Sequence, residues 1–167
     1  MFDWLQAAPR RVLVLLAVAA VAMLGYGLYL QHVVGLNPCP MCIVQRYALV
    51  AIALIAALTS LSARRGPQLF GALMVIVAAA FGAFVAARQS WLQWYPPEVA
   101  SCGRDFYGMI ETFPLQRAIP MIFKGGGDCS QIDWTFLGLS LANWSFVTFA
   151  AITLLMLAFW VARQRRV

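Results

Sequence analysis

Four cysteines carry the chemistry open to this sequence, and they stand in two pairs. Cys39 and Cys42 are separated only by Pro40 and Met41, whereas Cys102 and Cys129 have 26 residues between them. In a C-x-x-C pair the sulfurs are near enough to oxidise into a small ring, which stabilises the chain little because it closes almost no loop. Redox activity suits such a pair better than stapling does. If Cys42 falls in the first turn of a helix, the helix N-terminus favours its thiolate, the form that reacts. A bridge between Cys102 and Cys129 would restrict the unfolded chain by about 3 to 4 kcal/mol on a chain-entropy argument, so that pair taken alone reads as structural. Gly103 beside one thiol and Gly125, Gly126 and Gly127 beside the other equally suit a disulfide that opens and exchanges. Four thiolates could also hold zinc, but one C-x-x-C and one distant pair are not two knuckles, and the only His, His32, has no second His near it. The sequence therefore predicts no metal.

Arg46 follows Cys42 by four residues, one helical turn away on the same face. The bland reading is an Arg that snorkels to lipid headgroups. Beside a C-x-x-C pair it could instead favour a thiolate and donate hydrogen bonds to the carbonyl oxygen of an electron acceptor. Gln45 and Gln89 are further polar groups at the same boundary, each also explicable as satisfying the interface.

The elements that must position these residues are apolar. The 167 residues are 63% hydrophobic and 11% charged, with a mean hydropathy of +0.80, against about a quarter charged in a soluble domain. That excludes a water-soluble globule, a disordered chain and a disulfide-dense secreted scaffold. Residues 12–30 form a 19-residue run without a charge, which as a helix covers roughly 28 Å of a hydrocarbon core about 30 Å thick. Residues 43–63, 69–87 and 144–162 give three more spans, and the whole chain, 1–167, reads as one membrane domain. A cleaved signal peptide is the competing reading of the first run, but no small-x-small site followed by polar sequence is present.

Four spans place both termini on one side. Arg10, Arg11, Arg64, Arg65, Arg163, Arg165 and Arg166 flank that side, seven of the 12 basic residues, so the positive-inside rule makes it cytoplasmic. The loops at 31–42 and 88–143, which hold all four Cys and five of the six acids, then face outward, where disulfides persist. Trp91, Trp94, Tyr95, Trp134 and Trp144 fall at the outer boundary and Trp4 and Trp160 at the inner one, and they read as interface anchors. In the long loop, Phe106, Met109, Ile110 and Phe113, then Ile119, Met121, Ile122 and Phe123, give an apolar face broken by Pro114 and Pro120, which reads as short surface helix. The net charge of +6 belongs to headgroups and topology, and nucleic acid is not expected as a partner. The fold expected is an all-α bundle of four transmembrane helices with two outward loops.

Three stretches together resemble the disulfide bond formation protein B (DsbB) family over essentially the whole chain. They are Cys39-Pro40-Met41-Cys42-Ile43-Val44-Gln45-Arg46, Leu92-Gln93-Trp94-Tyr95-Pro96 before Cys102, and Gly127-Asp128-Cys129 followed by Trp134 and Phe136-Leu137-Gly138-Leu139. The resemblance implies a quinone-dependent thiol oxidase of the bacterial inner membrane, using ubiquinone or menaquinone, that reoxidises DsbA, a soluble periplasmic disulfide donor. It implies that Cys102 forms the mixed disulfide with that partner and that Cys129 is its disulfide mate. Cys39 would receive the electrons by exchange with the second-loop pair, and Cys42 would pass them to the quinone. Arg46 matches the family's quinone-contacting Arg. Where the family commonly carries an acid before that Arg and a His near the end of the third span, this chain has Gln45 and Gln89, and Gln89 is the further cofactor-binding candidate.

Two other classes make different demands. A four-span scaffold with structural disulfides, similar to tetraspanins, has no use for a C-x-x-C beside a span, and the double-Cys-Gly signature of that group is absent. A transporter needs ionisable groups along a pathway, and the span interiors hold no Asp, Glu, Lys or Arg.

Overall fold

A computed structural model describes residues 8–96, 120, 123, 127–130, 132 and 134–164. Four long helices dominate it: α1 (Pro9–His32), α2 (Pro40–Leu61), α3 (Arg65–Trp94) and, after the single turn α4 (Gly127–Ser130) and a hairpin of β1 (Thr135–Phe136) and β2 (Leu139–Ser140), α5 (Leu141–Gln164). Each long helix is long and apolar enough to cross a membrane. The bundle is helical and four-spanning, as the sequence predicts.

The helices run past the uncharged stretches. Arg10 and Arg11 lie in the first turn of α1, and α3 continues two turns beyond Ala87 through Arg88, Gln89 and Gln93 to Trp94. Nothing in the sequence stops α3 before the Pro96-Pro97 pair, and a residue preceding Pro is turned away from helical geometry. The consequence matters for the site: Gln89 is a helical residue with a defined face. Cys102 and the apolar segment expected as surface helix, Phe123 and Pro120 apart, lie outside the described residues, as does Trp4.

α3 is the central element, packing against α2 on one side and α5 on the other, while α1 packs against α2. Large apolar side chains such as Leu58, Leu61, Phe70, Phe84 and Leu154 face outward, and the interior is built from Ala48, Ala53, Ala56, Ala72, Ala79 and Ala86 around Ile52, Val75, Met156 and Phe159. Lipid is as apolar as Leu, so association of such helices depends on close approach and packing, which small residues permit. Gly71 lies against Thr59 where α2 and α3 meet, and Gly82 lies against the ring of Phe149 where α3 and α5 meet. A Cβ at either glycine would collide with that neighbour. Gly82→Ala should therefore lower stability by about 1–3 kcal/mol through overpacking, read as a lower thermal midpoint in detergent. Gly25→Ala, whose added Cβ meets nothing within 4 Å, is the matched control.

Arginines close the helix ends opposite the C-x-x-C pair. Arg10 donates to the carbonyl of Leu61, the last residue of α2, at 3.1 Å, and Arg65 donates to the carbonyls of Arg163 and Gln164 at the end of α5. Cations at helix C-termini satisfy orphan carbonyls and match the macrodipole. Arg163 in turn reaches Gln68 Oε1 at 2.5 Å, and Gln68 Nε2 donates to the Ser62 carbonyl at 2.9 Å, so a buried glutamine ties the α2–α3 turn to α5.

At the cysteine end the hairpin leads into α5. Leu137 and Gly138 both have positive φ, as the two-residue turn of a right-twisted hairpin requires. Ser140 accepts from the Asn143 amide, capping α5, and donates to Gln93 Oε1 at 2.5 Å, fastening the start of α5 to the end of α3.

Candidate active site

The C-x-x-C pair is built into the start of α2. Cys39 is the N-cap, in extended conformation, Pro40 occupies the first helical position, and Cys42 is the third. Proline there is pre-set for the helix and its missing N–H is no loss. The Cys42 amide donates to Cys39 Sγ at 3.3 Å, so a sulfur does the work that a Ser or Asp oxygen does at an ordinary N-cap. Capping geometry thus folds the two side chains together, with their sulfurs 2.7 Å apart. Cys39 is buried and Cys42 is half-buried.

Cys129 arrives from the other direction. The turn α4 packs on α3, and Cys129 is fully buried in a cluster with Cys39, Met41, Val85 and Leu92, with Phe123 packed against it. Hydrogen bonding with Cys129, then with Cys42, and burial push the Cys39 thiol well above its ordinary value. Cys39 therefore lies between the other two sulfurs, one from each outer segment. Cys102, the fourth thiol, is outside the described residues.

Gln89 closes the site from α3. Its Nε2 is 3.2 Å from both Cys39 Sγ and Cys42 Sγ, and its Oε1 accepts from Gln45 Nε2 at 2.7 Å. Both glutamines are buried. Arg46 is on the face of α2 expected from the four-residue spacing, and its guanidinium is pinned to α1 by donation to Gln31 Oε1 and, at 3.0 Å, to the Gly27 carbonyl. A Cβ added at Gly27 would lie 3.7 Å from Arg46 Nε, an ordinary van der Waals contact.

These groups open onto one cavity of about 600 Å³. Its wall is mostly apolar, from Met23, Leu30, Leu49 and Phe149 among others; Cys39, Cys42, Gln45, Arg46 and Gln89 contribute polar groups, as do Gln31, Asn37, Gln93, Ser145 and Thr148. That combination of apolar wall and few convergent polar groups is the usual form of a small-molecule site. Trp134, Phe136 and Trp144 form its aromatic side: the Trp134 and Phe136 rings stack with centroids 6.0 Å apart, and Trp144 Nε1 donates to the Phe136 carbonyl at 3.0 Å. Trp134 and Trp144, expected as interface anchors, line the cavity as well. The hairpin of β1 and β2 lies between Trp134 and α5, and its one sequence signal is Gly138, weak without Asn or Asp before it. Among the described residues, no group of three or more His, Cys, Asp or Glu side chains is arranged to hold a metal ion.

Comparison with known proteins identifies the family. Residues 9–159 match the family described as Disulfide bond formation protein DsbB. The Disulfide bond formation protein B of Albidiferax ferrireducens is 67% identical over 165 residues, covering 98% of this chain and 95% of that protein. Its counterpart in Polaromonas naphthalenivorans is 67% identical over 167 residues, covering 99% of this chain and 100% of that protein. The counterpart in Azoarcus sp. is 54% identical over 148 residues, 87% of each. A match over so much of its length leaves one conclusion: the chain is a member of the DsbB family.

Proposed function

We propose that the chain is an inner-membrane thiol oxidase that draws two electrons from a periplasmic DsbA-like dithiol and delivers them to membrane quinone. The observation that carries this reading is the order of the sulfurs: Cys129, then Cys39, then Cys42 at the cavity beside Arg46. In the first exchange the partner's thiolate attacks Cys102 of a Cys102–Cys129 disulfide, forming a mixed disulfide and freeing Cys129. Cys129 then attacks Cys39 of the Cys39–Cys42 disulfide, so that the Cys39–Cys129 bond forms as the Cys39–Cys42 bond breaks. Attack at Cys39 makes Cys42 the leaving sulfur, which has the Gln89 amide and the Arg46 charge nearby to receive a negative charge. Resolution by the partner's second thiol and by Cys102 leaves the partner oxidised and Cys39 and Cys42 as a dithiol.

Reoxidising that dithiol needs an acceptor of higher potential than a DsbA-type disulfide, near about −120 mV, which thiol exchange alone does not provide. A quinone, when bound, supplies an acceptor for two electrons and two protons. The cavity fits it in volume and in an apolar wall ending at a guanidinium and a thiol, with Arg46 and Gln89 as donors for a carbonyl oxygen. The loops carrying the cysteines face the periplasm in this reading, with both termini in the cytoplasm, as the arginine distribution requires.

The purified protein, given excess ubiquinone or menaquinone and a reduced thioredoxin-fold partner, should oxidise many equivalents of partner per enzyme, with one quinone consumed per disulfide made. Oxidation that stops after the enzyme's own disulfides are spent would reject quinone as the acceptor. Cysteine labelling from the periplasmic side of intact spheroplasts should reach the loop thiols once reduced.

A further inference from the structure

Gln45 and Gln89 are two buried amides in contact, and they are arranged with a direction. Gln89 Nε2 carries two hydrogens and lies 3.2 Å from each of two sulfurs, so both donors have an acceptor. Its oxygen meets Gln45 Nε2 at 2.7 Å. Were the Gln89 amide turned over, its carbonyl would face sulfur lone pairs and two NH2 groups would face each other across the α2–α3 contact. Gln45 is buried and hydrogen-bonds Gln89, and by that bond it selects which end of Gln89 the sulfurs see.

We propose that Gln45 is a positioning residue that, through Gln89, holds an uncharged double donor on the Cys39 and Cys42 sulfurs and so favours the reduced form of the pair. The inference rests on reading Cys39–Cys42 as the redox pair, but it concerns the sulfurs alone and needs neither quinone nor partner. A donated hydrogen bond is worth more to a thiolate than to a disulfide sulfur, because charge-assisted bonds are the stronger class.

The test is equilibration of the full-length protein in detergent with glutathione buffers, with the Cys39–Cys42 peptide quantified by mass spectrometry after differential alkylation. Two glutathione thiols are oxidised to their disulfide as the Cys39–Cys42 bond takes up two electrons and two protons. Gln89→Met should shift this equilibrium toward the protein disulfide by about tenfold, the scale of one hydrogen bond to a charged group, or about 30 mV for two electrons. Gln45→Met should shift it the same way by about three- to fivefold, and the double variant should match Gln89→Met alone, since a residue acting only through Gln89 has nothing to act on once Gln89 is gone. Should Gln45→Met not assemble, Gln45→Asn keeps an amide but withdraws it by one methylene and should give a shift of the same sign. An unchanged equilibrium in the Gln45 variant, or shifts that add in the double variant, would overturn the proposal. Loss of quinone turnover with the coupling intact would count against the proposed function and leave this inference standing.

Discussion

Cys42→Ser is expected to abolish multiple turnover with quinone, by on the order of 10⁴-fold or more, the scale on which removing a covalent nucleophile acts. The structure makes a further distinction. Cys39 is in contact with Cys129 independently of Cys42, so in the substituted protein the Cys39 thiol should still exchange with a Cys102–Cys129 disulfide, forming Cys39–Cys129 as Cys102–Cys129 breaks, and the protein should oxidise at most a stoichiometric amount of partner. A burst without steady state, measured by partner fluorescence or by gel shift of alkylated partner, is the expected signature. Steady turnover in the variant would mean that electrons leave the chain from some other sulfur. Serine is the proper replacement because it keeps the first turn of α2 intact: the group that caps the helix is Cys39, and Cys42 contributes its backbone amide.

Arg46→Ala is expected to raise the quinone KM by about 10- to 100-fold, the range of one or two hydrogen bonds from a charged donor, while changing the KM for the partner by about twofold or less. The guanidinium carries five N–H donors in a plane, and bonds to Gln31 and Gly27 fix the orientation of those that remain. Pinning of this kind lowers the ordering cost when a carbonyl oxygen arrives. Arg46→Lys should recover little, since an ammonium cannot hold the two contacts to α1 and present a further donor in the same plane. Equal rises in both KM values would assign Arg46 a structural role in tying α1 to α2. Steady-state kinetics with each substrate varied in turn decide the matter.

Much of this site is legible without coordinates because it depends on short spacings. The two-residue gap in Cys39-Pro40-Met41-Cys42 brings the sulfurs together whatever surrounds them, and four residues from Cys42 to Arg46 are one helical turn. The spans are equally plain, since long runs without charge have few other uses. Legibility fails where contact depends on how separate elements meet. Gln89 reaches the sulfurs across 47 and 50 residues of sequence, and its aim is set only once α3 is known to stay helical past Arg88. The hairpin at residues 135–140 is hidden for a different reason: its turn uses Leu137 at positive φ, where Asn-Gly or Asp-Gly would have announced it. Hence Trp134 and Trp144 read as anchors when their rings also wall the cavity. The pinning of Arg46 by the Gly27 carbonyl is hidden too, because a backbone acceptor leaves no side-chain signal.

In the proposed relay, the sulfur that caps α2 is also a sulfur that changes bonding partners. A thiol sulfur and a half-cystine sulfur differ as acceptors, so the hold on the Cys42 amide varies with the oxidation state of Cys39. Each catalytic cycle accordingly tightens and relaxes the leading turn of a membrane-spanning helix, and deuterium uptake at that single backbone position becomes a clock hand for electron occupancy.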